Sequence, residues 1–240
     1  MREHLLARYK TDPSFLPKHE AIVGFSTESI VEALGGSLNP LLDAIKDGTI
    51  KGVAGFVSCT TLRDHGQDVH SVQMAKELIK RDILVLSMGC GNAALQVADL
   101  CSPNASEFAG PGLKGLCEAL KVPPVLSYGT CTDTGRIADM IAAVSKALGD
   151  VPVPDLPLVA VAPEYMEQKA TIDAVFALAF GLYTYVNPVP NVTGAPNLVR
   201  LLTQELSDVT GGLLDVEGDA GKAADNLLGH IQSRRDKLGI

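Results

Sequence analysis

The chain has 240 residues, 46% of them hydrophobic, and a formal net charge of −8 at pH 7. That is enough apolar material for one large α/β domain or two small ones. The acidic balance, with no basic run and only 5% aromatic residues, excludes an electrostatic footprint for nucleic acid or an anionic membrane and leaves small molecules and proteins as partners.

Residues 1–18 read as a lead-in. In MREHLLARYKTDPSF, charges interrupt the apolar residues and no continuous hydrophobic region forms, so no secretory signal is expected. Met1 reads as the start of an independent product, and the expected location is cytoplasmic. Short apolar, β-rich runs then follow: AIVGF at 21–25, VAGFVSC at 53–59, ILVLSMGC at 83–90, PVLSYGTC at 124–131, LVAVAPE at 158–164 and LYTYVNP at 182–188. Between them lie VHSVQMAKELIKRD, DTGRIADMIAAVSKALG and EYMEQKATIDAVFALAFG, with apolar residues at three- and four-residue spacing. This alternation predicts an α/β fold, a Rossmann-like parallel sheet flanked by helices, over residues 19–240. The Pro-rich GDVPVPDLP at 149–157 marks either a linker or a loop within one sheet, and an αβ extension is expected beyond about residue 190. The longest apolar stretch, Ile172 to Leu182, is too short to span a bilayer and reads as a core helix.

A parallel sheet of this kind places ligands at the carboxyl ends of its strands. Cys59, Cys90 and Cys131 each close a predicted strand and enter a polar or glycine-containing turn, VSCTT, MGCGN and GTCTD. Cys101 and Cys117 sit within apolar helical patterns and are expected to be buried packing residues. Five cysteines, an odd number, in a chain without a signal argue against a disulfide framework. A buried cysteine is by default a small apolar side chain. Three at equivalent strand ends shift the balance toward a shared metal, because thiolates brought together require a cation and soft sulfur suits iron–sulfur clusters, zinc or nickel. Spacings of 31 (59 to 90) and 41 (90 to 131) residues exclude a zinc ribbon or a compact ferredoxin run, leaving a cluster held by separated loops.

Other motifs carry less. GPGLKG at 110–115 fits G-x-G-x-x-G but follows a polar stretch rather than a strand, so its dinucleotide-binding context is missing. The sequons at Asn104 and Asn191 are chance matches in a chain expected to be cytoplasmic. His65 and His70, in RDHGQDVH, are candidate ligands or proton carriers, with His70 also suited to the start of a helix. Lys169, in the first turns of a mostly apolar helix, is either a solvated residue or a group that holds a substrate oxygen or moves a proton.

Five segments, GFSTESIVEALGGSLNPLLDAIKDGTIKGVAGFVSC, KELIKRDILVLSMGC, PPVLSYGTCTDTGRIADM, APEYMEQKA and LLTQELSDVTGGLLDVEGDAGKAADNLLGHI, resemble, in order and with few gaps, the C-terminal third of the anaerobic nickel–iron–sulfur carbon monoxide dehydrogenases. The resemblance runs from about His19 to the end. It implies an oxidoreductase that converts CO and water to CO2, two protons and two electrons at a Ni–Fe–S cluster of 4Fe–4S type. It further implies that Cys59 and Cys90 bind iron, that Cys131 binds nickel, and that Lys169 is the family's active-site lysine. His70 is a weaker catalytic candidate. Family members carry a long N-terminal part with further cluster cysteines and a ligand histidine, and residues 1–18 here hold no cysteine. The expected partners are therefore a second subunit supplying that part, an electron-carrier protein and a second copy in a homodimer. The alternatives are a simpler cluster on three thiolates plus another ligand, and an interaction or regulatory protein that keeps the fold without CO oxidation.

Overall fold

The computed structural model describes residues 20–240, apart from Arg63, His65, Glu167 and the side chains of Gln168 and Lys169, together with Glu3, His4, Ser14 and Lys18. The candidate His65 therefore lies outside the described residues.

Six strands form one parallel sheet: β1 (Gly52–Ser58), β2 (Ile83–Gly89), β3 (Val125–Gly129), β4 (Leu158–Ala162), β5 (Tyr183–Val186) and β6 (Leu213–Asp215), in the order β3-β2-β1-β4-β5-β6. Ten α-helical segments accompany them among the described residues: α1 (Thr27–Ala33), α2 (Asn39–Lys46), α3 (Val69–Lys80), α4 (Cys90–Val97), α5 (Pro111–Leu120), α6 (Gly135–Ala147), α7 (Gln168–Ala179), α8 (Pro196–Arg200), α9 (Leu206–Thr210) and α10 (Ala220–Leu238). The expected Rossmann-like architecture is present. Central strands such as β2 and β5 are buried along nearly their whole length, which explains their unbroken apolar runs. The segment 149–157 runs from α6 into β4 of this same sheet.

Two glycines of β1 show how the layers close. A Cβ on Gly52 would lie 2.8 Å from Ile231 of α10, and one on Gly55 would lie 3.6 Å from Ile137 of α6. Residues three apart on a strand face opposite ways, so α10 and α6 cover opposite faces of the sheet. Helix α10 presents Ala223, Ala224, Leu227, Ile231 and Arg235, a stripe at helical spacing, and packs on α3. Full burial of Leu227 and Ile231 contributes roughly 1.5–3 kcal/mol each before conformational entropy is subtracted. Buried Arg235 donates from Nη1 to the carbonyls of Ile45 and Lys51, pinning the C-terminal helix to the lead into β1.

On the opposite face α7 leaves the sheet incompletely filled, and a cavity of about 140 Å³ opens between β1, β4, α6 and α7. One expectation is corrected here. Residues 21–25 form no strand: only Val23 bridges, in parallel, to Ser127 on the outer edge of β3, and Gly24 at φ +86° turns the chain away. The αβ extension expected beyond about residue 190 supplies β6, only three residues long and half-buried, followed by α10.

His230 of α10 stacks on Tyr183, with ring centroids 4.7 Å apart. Burial, with the nearby Arg234 charge, lowers its pKa to about 4. The unfolded chain then binds the extra proton first, so this residue's contribution is intact above about pH 6.5 and is lost as pH falls toward 4. His230→Phe is expected to flatten the fall in melting temperature across that window, as read by thermal unfolding at stepped pH.

Candidate metal centre

The three strand-end cysteines leave neighbouring strands at one edge. Ser58 pairs with Gly89 and Met88 with Gly129, so the ends of β1, β2 and β3 lie side by side. Cys59 follows β1 directly and is half-buried. Cys90 is the first residue of α4 and is exposed. Cys131 opens a 3-10 turn (Cys131–Asp133) that runs into α6, and is half-buried.

Glycine is required between them. Gly89 sits at φ +85°, and a Cβ there would lie 2.6 Å from the Ser58 carbonyl oxygen and 3.5 Å from Cys131 Cβ. Position 89 thus brings the Cys59, Cys90 and Cys131 turns within one side chain's reach of each other. Asn92 of α4 strengthens the link, donating from Nδ2 to Ser127 Oγ at 2.9 Å and to the Gly129 carbonyl at 3.2 Å. Thr134 Oγ1 donates to the Cys131 carbonyl at 2.8 Å and closes the third turn.

The three thiols are soft donors in kind and stand at one carboxyl edge of the sheet, but they do not close a site by themselves. Among the described residues, no group of three or more His, Cys, Asp or Glu side chains is arranged to hold an ion. Thiol side chains on separate turns have no mutual attraction, and convergence requires a cation and the remaining ligand wall.

Cys101 and Cys117 behave as expected. Both are buried, and desolvation pushes each thiol up to about 12, far from a ligand thiolate.

Lys169 is the second residue of α7, the helix that follows the end of β4, and its side chain lies outside the described residues. His70, second in α3, is 1% exposed. Its Nε2 meets Tyr185 Oη at 2.8 Å, and its Nδ1 lies 3.4 Å from Asp64 Oδ2. Tyr185 in turn donates to the Glu217 carbonyl at 2.7 Å. The ring is thus a buried tie between α3, β5 and the loop before α10, facing away from bulk solvent.

One buried residue escaped the sequence reading. Glu164, just past β4, is fully buried and accepts from Ser71 Oγ at 2.9 Å. Burial raises its pKa, against the opposing pull of the Ser71 hydroxyl and the His70 backbone N–H. The signal was present: an acidic residue directly after an apolar strand, at the point where β1 and β4 diverge to opposite sides and such sheets form their crevice.

A match to the Prismane/CO dehydrogenase family model covers residues 8–221. The chain belongs to that family. It is 75% identical over 224 residues to carbon monoxide dehydrogenase 2 of Methanosarcina mazei, covering 93% of this chain and 35% of the relative. It is 59% identical over 223 residues to the carbon monoxide dehydrogenase of Archaeoglobus fulgidus, covering 93% of this chain and 36% of that one. The nickel-free crystal structure of the carbon monoxide dehydrogenase from Thermococcus sp. AM4 superposes with a TM-score of 0.89 at 45% identity, over 92% of this chain and 35% of that one. This member of the Prismane/CO dehydrogenase family thus spans about a third of the length of the relatives it matches.

Proposed function

We propose that this chain forms one wall of a carbon monoxide dehydrogenase-type Ni–Fe–S centre. Cys59 and Cys90 would hold iron and Cys131 nickel, and the remaining donors would come from the protein that corresponds to the other two-thirds of the relatives. The reaction is oxidation of CO with water to CO2, two protons and two electrons, the electrons passing to a carrier protein. When bound, such a cluster supplies the CO-binding metal and a two-electron reservoir. The observation that carries the reading is the arrival of three thiols from consecutive sheet neighbours, β1, β2 and β3, at one carboxyl edge.

The chain's own residues have defined tasks in this scheme. Gly89 lets the three turns approach, and Cys90 opens α4 at its exposed first residue. Lys169, entering α7 from the end of β4, supplies positive charge for a developing carboxylate and a route for protons. All five cysteines are thiols, which supports a reducing, cytoplasmic setting. No helix among the described residues is long and apolar enough to cross a membrane.

Helix α7 supports the need for more protein. Ile172 is 68% exposed, Val175 and Phe176 44% each, and Phe180 just beyond the helix 37%. These positions share one helical face, and an apolar stripe of this kind normally packs against a neighbour. A second copy of the chain is the other candidate cover. The open ligand set favours one further reading, a metal-free or simple-cluster interaction protein that keeps the fold without CO oxidation.

The test is anaerobic co-expression with the N-terminal two-thirds of a close relative, followed by a CO-dependent dye-reduction assay. Activity in the complex, and in neither part alone, supports the dehydrogenase. A stable, inactive, metal-free chain favours the interaction protein.

A further inference from the structure

The two turns carrying Cys59 and Cys90 share one buried hydroxyl. Ser58, 4% exposed, donates from Oγ to the Cys59 carbonyl at 3.0 Å and accepts the Glu164 backbone N–H at 3.2 Å. Its Oγ also lies 3.3 Å from Ser71 Oγ; because Ser71's one proton goes to Glu164 Oε2 at 2.9 Å, Ser58's one proton is shared between the Cys59 carbonyl and Ser71 Oγ. The contacts form a closed ring, from the main chain of Glu164 through two serines to its own carboxyl.

The same serine sets the seat of the Cys90 turn. A Cβ on Gly91 would lie 2.5 Å from Ser58 Cβ and 3.1 Å from its Oγ, and one on Gly89 2.6 Å from the Ser58 carbonyl oxygen. The glycines on both sides of Cys90 thus press directly onto Ser58. Cys131 is not part of this ring: its turn is held by Thr134 and by the Thr130 carbonyl, which accepts the Asp133 N–H at 3.0 Å.

We propose that Ser58, braced by Ser71 and Glu164, is a positioning hub that fixes the Cys59 and Cys90 turns relative to each other. Removing a buried hydrogen bond leaves its partners unsatisfied and loosens the segment they held. Ser58→Ala deletes the hydroxyl while keeping the contact that Gly91 makes with Cβ. Glu164→Leu deletes the brace, and Glu164→Gln keeps an acceptor for Ser71. The hub's bearing on chemistry rests on reading Cys59 and Cys90 as ligands, but the hub itself does not.

The experiment is therefore made on the metal-free 240-residue chain. Maleimide labelling rates of Cys59, Cys90 and Cys131 are followed by peptide mass spectrometry in wild type and the three variants, with thermal unfolding alongside. Ser58→Ala is expected to raise the Cys59 and Cys90 rates between about twofold and tenfold relative to Cys131. Glu164→Leu should do the same, and Glu164→Gln should stay near wild type. An unchanged ratio in Ser58→Ala, or a uniform rise at all three cysteines, overturns the proposal. If Glu164→Leu fails to fold, the Ser58→Ala ratio decides alone. A changed ratio in a chain whose complex with the completing protein binds no metal keeps the hub and removes the dehydrogenase, so the two failures are distinguishable.

Discussion

Gly112→Ala is expected to destabilise the chain by about 3 kcal/mol or more, lowering the melting temperature by roughly 6–12 °C. Gly112 is the second residue of α5, and a Cβ there would lie 1.8 Å from the Thr49 carbonyl oxygen and 2.8 Å from the Thr49 carbonyl carbon. That neighbour is backbone, in the turn feeding β1, and no rotamer change relieves the overlap. Nor is the helix able to back away. The Gly110 N–H donates to the Ile79 carbonyl at 2.9 Å and the Leu113 N–H to Asp82 Oδ1 at 2.8 Å, anchoring its first turn to the end of α3.

Gly115, the third glycine of the same GPGLKG run, meets nothing within 4 Å. Gly115→Ala is therefore the control, expected to be neutral or to stabilise by up to about 1 kcal/mol through helix propensity. Denaturation of the two variants side by side checks the contrast, and equal effects would contradict it.

That run shows what the sequence made legible and what it hid. Discounting GPGLKG as a dinucleotide loop rested on its missing strand, and the structure gives it a different task, close backbone approach at Gly112. Strands β1 to β5 were readable because burial on both faces leaves continuous apolar runs bounded by turn residues. AIVGF carried the same local signal, yet its chain turns at Gly24 after one bridge, because strand formation depends on a neighbour with an open edge. The cysteines could be placed at strand ends from pattern alone. Their lateral order could not, since it follows from sheet topology, and neither could the Ser58–Ser71–Glu164 ring, whose members are 13 and 93 residues apart along the chain.

The second large effect concerns the thiols themselves. In the proposed assembly with a completing protein, Cys59→Ser and Cys90→Ser are each expected to remove most of the bound metal, and Cys131→Ser the nickel first, while leaving the fold near its wild-type stability. A serine hydroxyl is a hard, protonated donor that does not replace a thiolate on iron or nickel, and these side chains stand at a rim rather than in the core. Cys101→Ser and Cys117→Ser should show the reverse pattern. Cys117→Ser places a hydroxyl in an apolar pocket, costing about 1–3 kcal/mol, Cys101→Ser costs less because Asn92 Oδ1 lies 4.0 Å from the sulfur as an acceptor, and neither should change metal content. Iron and nickel analysis paired with thermal unfolding on the five variants separates ligands from packing residues. Under the carried-over assignment, Cys131→Ser should lose nickel before iron, whereas Cys59→Ser and Cys90→Ser should lose both.

The most direct measurement is the iron, sulfide and nickel content of the chain purified anaerobically together with its completing protein. Iron and sulfide in the proportion of a 4Fe–4S-type cluster, with nickel, present in the complex and removed by substitution of Cys59, Cys90 or Cys131, is the predicted result. A well-folded complex that binds no metal, or whose metal is indifferent to all three substitutions, would contradict the shared rim of thiols as the seat of the chemistry.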